Sequence, residues 1–256
     1  MPATERSGPV SRPRAQLLGR FRLTQADREV SLPGRKARAI LAYLILAPDH
    51  SASREQLADL LWTDRGPDQA RASLRQSLKE LRQLACIAGA IETTHDAAAL
   101  DQAALAVDVH EIRHAAAERD LAALARLLDQ ARGDLLEDFL DVAPGFDEWL
   151  QAERPRQHDL IVADALDAVE ANGLAAMKDA RSILRSLDRR LDRAVRRVCG
   201  DDHRNLVMSS SVKNCIETAR SSIRPQREYA IARANGQDGK AWAENNRGRT
   251  VVALAE

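Results

Sequence analysis

The chain has 256 residues, of which 45% are hydrophobic and 30% are charged, so it is too apolar for a disordered protein and long enough for two modest domains. Aromatic residues make up only 3%, which leaves alanine and leucine to fill the cores and favours closely packed helices. The N-terminus lacks the apolar region of a signal peptide, and no run approaches the roughly 18 apolar residues of a membrane helix. The three cysteines form no CxxC pair and predict neither a zinc knuckle nor a secreted disulfide scaffold. We therefore expect a mainly α-helical, cytoplasmic protein without a cofactor or a membrane partner.

The formal net charge is zero, but the charges are divided along the chain. Residues 11–84 hold 14 basic and 8 acidic residues, residues 101–172 hold 6 and 17, and residues 173–256 hold 17 and 10. Such a division indicates segments with different partners. A nucleic acid suits the first segment and does not suit the second.

The first hundred residues predict strands, three helices and then strands again. Alternating residues in LLGRFRL (17–23) and REVSL (28–32) predict a hairpin across a polar turn. Helical spacing begins at Arg35 and stops before Pro48, and Ser53 with Gln56 three residues later predicts a capping box for a second helix. A third helix is predicted from Pro67 to about Leu84, with four inward residues, Ala70, Leu74, Leu78 and Leu81.

Two short apolar stretches, 91–94 and 98–100, predict a second hairpin around His95 and Asp96, and Leu105, Val107 and Val109 alternate again. A helix-turn-helix closed by a β-hairpin is the winged form of that motif. Beyond it, acidic helices are predicted at 108–118, 119–131 and 146–172, and their antiparallel pairs resemble the beginning of a helical-repeat array. The expected organisation is a flexible arm (1–15), a winged helix-turn-helix domain (16–107), an incomplete helical domain (108–172) and a basic extension (173–256).

Four segments, LLGRFRL, LPGRKARAILAYLIL, SREQLADLLW and DQARASLRQSLKELRQL, together resemble the DNA-binding half of the SARP family of bacterial transcriptional activators. That half is an OmpR/PhoB-type winged helix, and a bacterial transcriptional activation domain (BTAD) follows it. ALDQAALAVDVHEI, ARGDLLEDFL and FDEWLQAERPR resemble the wing and the opening helices of the BTAD. The resemblance covers about residues 16–170 and is lost after Asn172, which indicates a truncated BTAD. It implies a transcription regulator, not an enzyme, that binds double-stranded DNA at direct repeats.

The polar side of the third helix is the candidate for reading DNA, because its residues form one stripe at about 100° per residue. The stripe consists of Arg71, Arg75, Gln76, Lys79, Arg82 and Gln83. A solvated basic face is the alternative. Phosphate contacts are expected from Arg35, Lys36 and Arg38 on the first helix and Arg54 on the second, with ordinary surface charge as the alternative for any one of them.

In the wing, Thr93, Thr94 and His95 are expected at the minor groove or the DNA backbone, against the alternative of an ordinary hairpin tip. The connection 63–67 matches the loop that OmpR/PhoB-type proteins offer to RNA polymerase, and a plain interhelical turn explains it equally well. Residues 181–197 are basic and are expected either to dock on residues 108–170 or to add nonspecific DNA affinity. The acidic helices are expected to serve self-association or partner contact.

Two other functions remain open from the sequence. His110, Glu111 and His114 match the H-E-x-x-H pattern of zinc hydrolases, but no third ligand is evident and the motif is short enough to arise by chance. A protein-interaction adaptor, in which the winged helix no longer binds DNA, is the second alternative. The arginines of the third helix favour DNA binding over both.

Overall fold

The computed structural model describes residues 12–131, 133–172, 177–199 and 215–218. These residues form two compact units. The first contains residues 12–111 and, apart from 132, residues 131–157, and the second contains the other described residues. Most of the predicted extension 173–256, including its Gly- and Asn-rich stretch 233–249, and residues 1–11 of the predicted arm lie outside the described residues.

The first unit begins with a small sheet and three helices. In chain order these elements are β1 (Arg14–Gln16), β2 (Arg22–Gln25), β3 (Arg28–Glu29), α1 (Gly34–Leu46), β4 (Ser51–Ser53), α2 (Arg54–Leu61) and α3 (Pro67–Arg82). A hairpin and a last short strand follow as β5 (Ile91–Thr93), β6 (Ala97–Leu100) and β7 (Ala106–Val107). The strands form a four-stranded sheet in the order β3-β2-β1-β7 and a three-stranded sheet in the order β4-β6-β5. Three helices with a β5–β6 hairpin behind them make this a winged helix, as the sequence predicted.

The three helices begin and end close to their predicted positions. Ser53 caps α2, since its Oγ accepts a hydrogen bond from the Gln56 backbone N–H at 3.0 Å. The other half of the predicted capping box is absent, because the Gln56 side chain donates to the Tyr43 hydroxyl at 2.7 Å. Tyr43 is buried and its hydroxyl needs a partner, so the core contact takes the amide away from the helix end. Burial also raises the pKa of Tyr43.

The strands before α1 differ from the prediction. Residues 17–21 are not a strand, because Gly19 adopts a φ of +101° and turns the chain between β1 and β2. β1 begins at Arg14, inside the predicted flexible arm 1–15, and pairs in parallel with β7. Ala15 is fully buried there. The end of the predicted arm is thus part of the sheet, and Val109, predicted to continue the last strand, lies in the helix that follows β7.

Residues 133–141, here called the clasp, run along residues 17–21. Leu18 forms a bridge with Leu135, Gly19 N–H donates to Asp134 O at 2.7 Å, and Leu136 N–H donates to Leu17 O at 2.8 Å. Five apolar residues of the clasp and the helix after it are buried in the first unit: Leu135, Leu136, Phe139, Phe146 and Leu150. The first unit therefore extends beyond the predicted domain 16–107 and is completed by residues 131–157.

The later helices are α4 (Asp108–Ala117), α5 (Leu121–Gln130), α6 (Pro144–Asn172) and α7 (Met177–Cys199). The second unit contains α5, α7, and the parts of α4 from Ile112 and of α6 from His158. α7 packs on α5, as expected if the basic segment docks on the acidic helices, and Arg189 pairs with Asp129 at 3.0 Å. The buried apolar side chains of the two helices are Leu121, Leu124, Ala125, Leu128, Ala180, Ile183, Leu187 and Val195.

The whole is mainly helical with a small β component, a winged helix followed by a helical region, and this confirms the predicted fold class. Cys86 is free, whereas Cys215 is disulfide-bonded, a pairing that the spacing of the cysteines did not predict. No helix in the described part of the chain has the length and apolar character needed to cross a membrane.

Candidate nucleic-acid interface

Helix α3 is two-sided. Pro67 at its first turn and Asp68 beside it suit a helix N-terminus, and Lys79 and Arg82 in the last turn complement the helix dipole. Its buried side consists of Ala70, Leu74, Leu78 and Leu81, which are the four residues predicted to point inward. The six stripe residues, Arg71, Arg75, Gln76, Lys79, Arg82 and Gln83, are all exposed. Burial of the leucines therefore fixes which side of α3 remains available to a ligand.

The stripe residues have few competing contacts. Arg71 lies 3.7 Å from Asp68 within the first turn, and Gln76 donates to Glu80 at 2.8 Å. Exposed pairs of this kind contribute about 0–1 kcal/mol and give way easily to a ligand. Arg75 and Lys79 form no ion pair with any residue in the described ranges. Their positive charges are available for a partner.

The wing is attached to both helices of the helix-turn-helix. β6 pairs with β4, with Ser53 opposite Ala97, and Arg54 N–H donates to Asp96 O at 2.7 Å. Arg82 at the end of α3 donates to Thr93 Oγ1 at 3.3 Å. These bonds hold the hairpin tip beside the first turn of α2.

The tip itself is a tight turn. Thr94 N–H donates to Ala97 O at 2.9 Å, and Thr94 Oγ1 accepts from the backbone N–H groups of Asp96 and Ala97. His95 is 97% exposed, with its Nδ1 2.6 Å from Asp96 Oδ1. The Thr94 hydroxyl thus shapes the turn, while His95 remains open to a ligand.

A groove of about 670 Å³ lies between α2, α3 and the wing tip. Its lining residues are Ser53, Arg54, Glu55, Arg71, Leu74, Arg75, His95 and Asp96. The Arg54 Nε is buried and has no hydrogen-bond partner among the described residues. Arg54, Arg71, Arg75 and His95 were predicted separately on three elements, and the fold brings them to one groove. Glu55 and Asp96 were not predicted for this site, because no local pattern indicates that a helix start lies beside a hairpin tip.

The three basic residues predicted for phosphate contact on α1 have internal partners. Arg35 donates to Leu140 O and to Asp141 O, the latter at 3.1 Å. Arg38 forms an ion pair with Asp138 at 2.6 Å, and its guanidinium lies over the Phe21 and Phe139 rings at 5.7 and 5.1 Å from their centroids. These contacts bind α1 to the clasp.

Lys36 belongs to the turn before α3. Its Nζ donates to Leu61 O, lies 4.9 Å from the centroid of the Trp62 ring and is 3.9 Å from Asp64 Oδ1. Burial lowers the pKa of Lys36, and Asp64 partly offsets that effect. Lys36 therefore caps a carbonyl at the C-terminal end of α2 and contacts the exposed 63–67 connection that follows it.

The H-E-x-x-H residues have ordinary contacts. The His110 ring packs edge-on against His50 with 5.3 Å between centroids, and Glu111 forms an ion pair with Arg14 at 2.6 Å. His114 is exposed. The described residues contain no group of three or more side chains placed to hold a metal ion.

No family model and no curated protein matches the chain. Among solved structures, the chain is similar to Mycobacterium tuberculosis EmbR in complex with a low affinity phosphopeptide. The two are 21% identical, the match covers 88% of this chain and 69% of that one, and the TM-score is 0.48.

Proposed function

We propose that this chain is a bacterial transcription regulator that binds double-stranded DNA sequence-specifically, with α3 in the major groove and the β5–β6 hairpin on the neighbouring backbone or minor groove. One observation carries the proposal. The six stripe residues are exposed on the side of α3 opposite its buried leucines, and two of the cations, Arg75 and Lys79, have no ion pair among the described residues.

The chemistry of these side chains suits base recognition. An arginine guanidinium can donate to O6 and N7 of one guanine, and a glutamine amide pairs in the same way with adenine. Arg75 lies one turn from both Arg71 and Lys79, at the middle of the stripe. Arg54 and Lys79 are assigned to phosphates, which set register without reading sequence. Arg35 and Arg38 are assigned to the internal structure of the unit, since their partners lie in the clasp.

The resemblance of residues 16–170 to SARP-type regulators supports further parts of the proposal. It supports an OmpR/PhoB-type winged helix, a truncated, TPR-like BTAD, action in the cytoplasm and binding at direct repeats. The acidic helices are assigned to self-association or partner contact, and the 63–67 connection to RNA polymerase. The exposure of residues 63–67 is compatible with that contact.

A titration of random-sequence duplex DNA at two or more salt concentrations tests DNA binding directly. Each phosphate contact contributes a slope of about −0.9 to a plot of log K against log salt. The triple variant Arg71→Ala/Arg75→Ala/Lys79→Ala should lose most of the affinity and about two to three units of slope. The matched control, Arg20→Ala/Arg22→Ala/Arg28→Ala, removes the same charge from exposed positions in and beside β2 and β3 and should change little.

If the parent binds DNA and both triple variants lose the same affinity, then bulk charge, and not α3, attracts DNA. Absence of binding by the parent would favour the adaptor function. Footprinting of the tagged protein across the genome would then supply the preferred site for any DNA-binding outcome.

A further inference from the structure

The groove between α2, α3 and the wing tip contains two carboxylates opposite its arginines. Glu55 lies in the first turn of α2, and Asp96 lies at the hairpin tip. The tip is fixed there by the Arg54 N–H bond to Asp96 O and by the β4–β6 pairing. The backbone at the start of α2 and at the tip is therefore held together, which places both carboxylate side chains at the groove.

Neither carboxylate forms an ion pair with the arginines of the groove. In the described ranges, Arg71 pairs only with Asp68, Arg75 has no ion pair, and Asp96 contacts the ring of its neighbour His95. Glu55 is exposed and has no ion pair within those ranges. The arginines and the two carboxylates thus line the same groove without forming ion pairs with one another in the described ranges.

A phosphate and a base edge respond differently to such a groove. A phosphate is attracted by Arg54, Arg71 and Arg75 but repelled by Glu55 and Asp96, and at about 7 Å each repulsion is worth about 0.6 kcal/mol before screening by salt. A base edge carries amino donors as well as acceptors, and a carboxylate can accept from the cytosine amino group. The carboxylates therefore oppose backbone contact more strongly than base contact.

We propose that Glu55 and Asp96 are specificity-determining residues of the interface, which lower attraction to phosphates of any sequence so that tight binding depends on base contacts. This inference rests on the proposed DNA-binding function and extends it. It assigns the acidic side of the groove a part in discrimination.

The test compares Glu55→Gln/Asp96→Asn with the parent on the footprinted site and on random-sequence duplex. Each of the two substitutions should contribute about a threefold rise in affinity for random DNA at low salt, and the rise should shrink at high salt. Affinity for the preferred site should rise less, or fall, so the ratio of specific to random binding decreases. The control Asp27→Asn/Asp49→Asn removes the same charge at exposed positions outside the groove lining, and asparagine suits the positive φ at Asp27.

The outcomes separate the two proposals. A parent that binds no DNA overturns both. Suppose instead that the parent binds DNA and that the groove variant has the same affinity for random DNA and the same specificity ratio as the parent or the control. That result overturns this inference alone. Circular dichroism of each variant ensures that the folds compared are the same.

Discussion

Asp108 is a buried carboxylate that fixes the start of α4 to the two residues before Gly19. Its oxygens accept from the backbone N–H groups of Leu17 at 3.0 Å, Leu18 at 2.8 Å and Val109 at 2.8 Å. A buried N–H without a partner costs about 1–3 kcal/mol, so one side chain satisfies three expensive groups. Burial nevertheless raises the pKa of Asp108, while those hydrogen bonds and Arg14 lower it in part.

Replacing Asp108 with alanine should lower the free energy of unfolding by about 3 kcal/mol, because three buried N–H groups lose their acceptor. The pH dependence has a definite sign. A raised native pKa means that the native protein holds this proton at a pH where the unfolded chain has released it. The contribution to stability is therefore full below the ordinary value of 3.8 and is lost as the pH rises through the native pKa.

Urea unfolding of the parent and Asp108→Ala at a series of pH values checks this prediction. The variant should lack the decline in unfolding free energy that the parent shows as the pH rises from 3.8 through the native pKa of Asp108. Asp101→Ala is the control, since exposed Asp101 accepts a single N–H, from Ala103 at 2.9 Å, and should cost only about 1 kcal/mol. Equal losses for the two variants would contradict the assigned role of Asp108.

Residue types alone could not have separated the arginines. Arg38 and Arg75 both stand beside apolar helix positions, and the sequence assigned both to DNA. The structure gives Arg38 a carboxylate and two aromatic rings that come from far along the chain, whereas Arg75 has no such partner among the described residues. The partner of a charged side chain depends on tertiary contacts. Local spacing therefore predicts on which side of a helix the side chain lies, but not whether it contacts the protein or a ligand.

The elements differ in the same way. Helices α1 to α3 and the β5–β6 hairpin were predictable because capping, helical spacing and a two-residue turn are local signals. β1 and β4 are three residues each and exist because of partners 92 and 46 positions away, as in the pairs Ala15–Val107 and Ala52–Ala98. The clasp was placed in the predicted helical domain, because the backbone hydrogen bonds that join it to residues 17–21 reach more than 100 positions back along the chain.

Gly133 is the position at which the clasp meets Gly19 most closely. A Cβ at residue 133 would overlap the Gly19 Cα and lie 2.7 Å from its backbone N. Gly133→Ala should therefore destabilise the first unit by about 3 kcal/mol, because backbone, not a movable side chain, stands in the way. Gly89→Ala, with no atom within 4 Å of the added carbon, should leave thermal stability nearly unchanged. A Gly133→Ala protein as stable as the parent would mean that the two segments do not approach so closely.

The first unit depends on residues outside the predicted domain 16–107. Phe139 packs edge-on against Phe21 at 5.7 Å, contacts Phe146 at 5.6 Å and lies under Arg38. Phe139→Ala should cost about 3–5 kcal/mol, as expected for a buried aromatic residue. The neighbouring Leu140 is 63% exposed, so Leu140→Ala should be close to neutral in the same thermal unfolding experiment. Similar effects of both substitutions would contradict this account of the core.

Truncation after Asn172 tests whether recognition is confined to the first unit. It removes α7 and with it the apolar side chains that α7 packs on α5, so the second unit should lose stability. The stripe and the groove both lie in the first unit, and the preferred DNA sequence should stay the same. Selection from a random duplex library gives the measurement, and a changed preference would place part of the recognition after Asn172.

We expect α3 to read bases, and Arg75→Ala tests this most directly. Affinity for the footprinted site and for variants of it should be measured beside Leu78→Ala, which removes a buried leucine and should lower stability by about 2–5 kcal/mol instead. Arg75→Ala should keep the parent's circular dichroism, lose about 1–3 kcal/mol on the preferred site and relax the preference at one base position. A folded Arg75→Ala protein that binds every sequence as the parent does would contradict the claim.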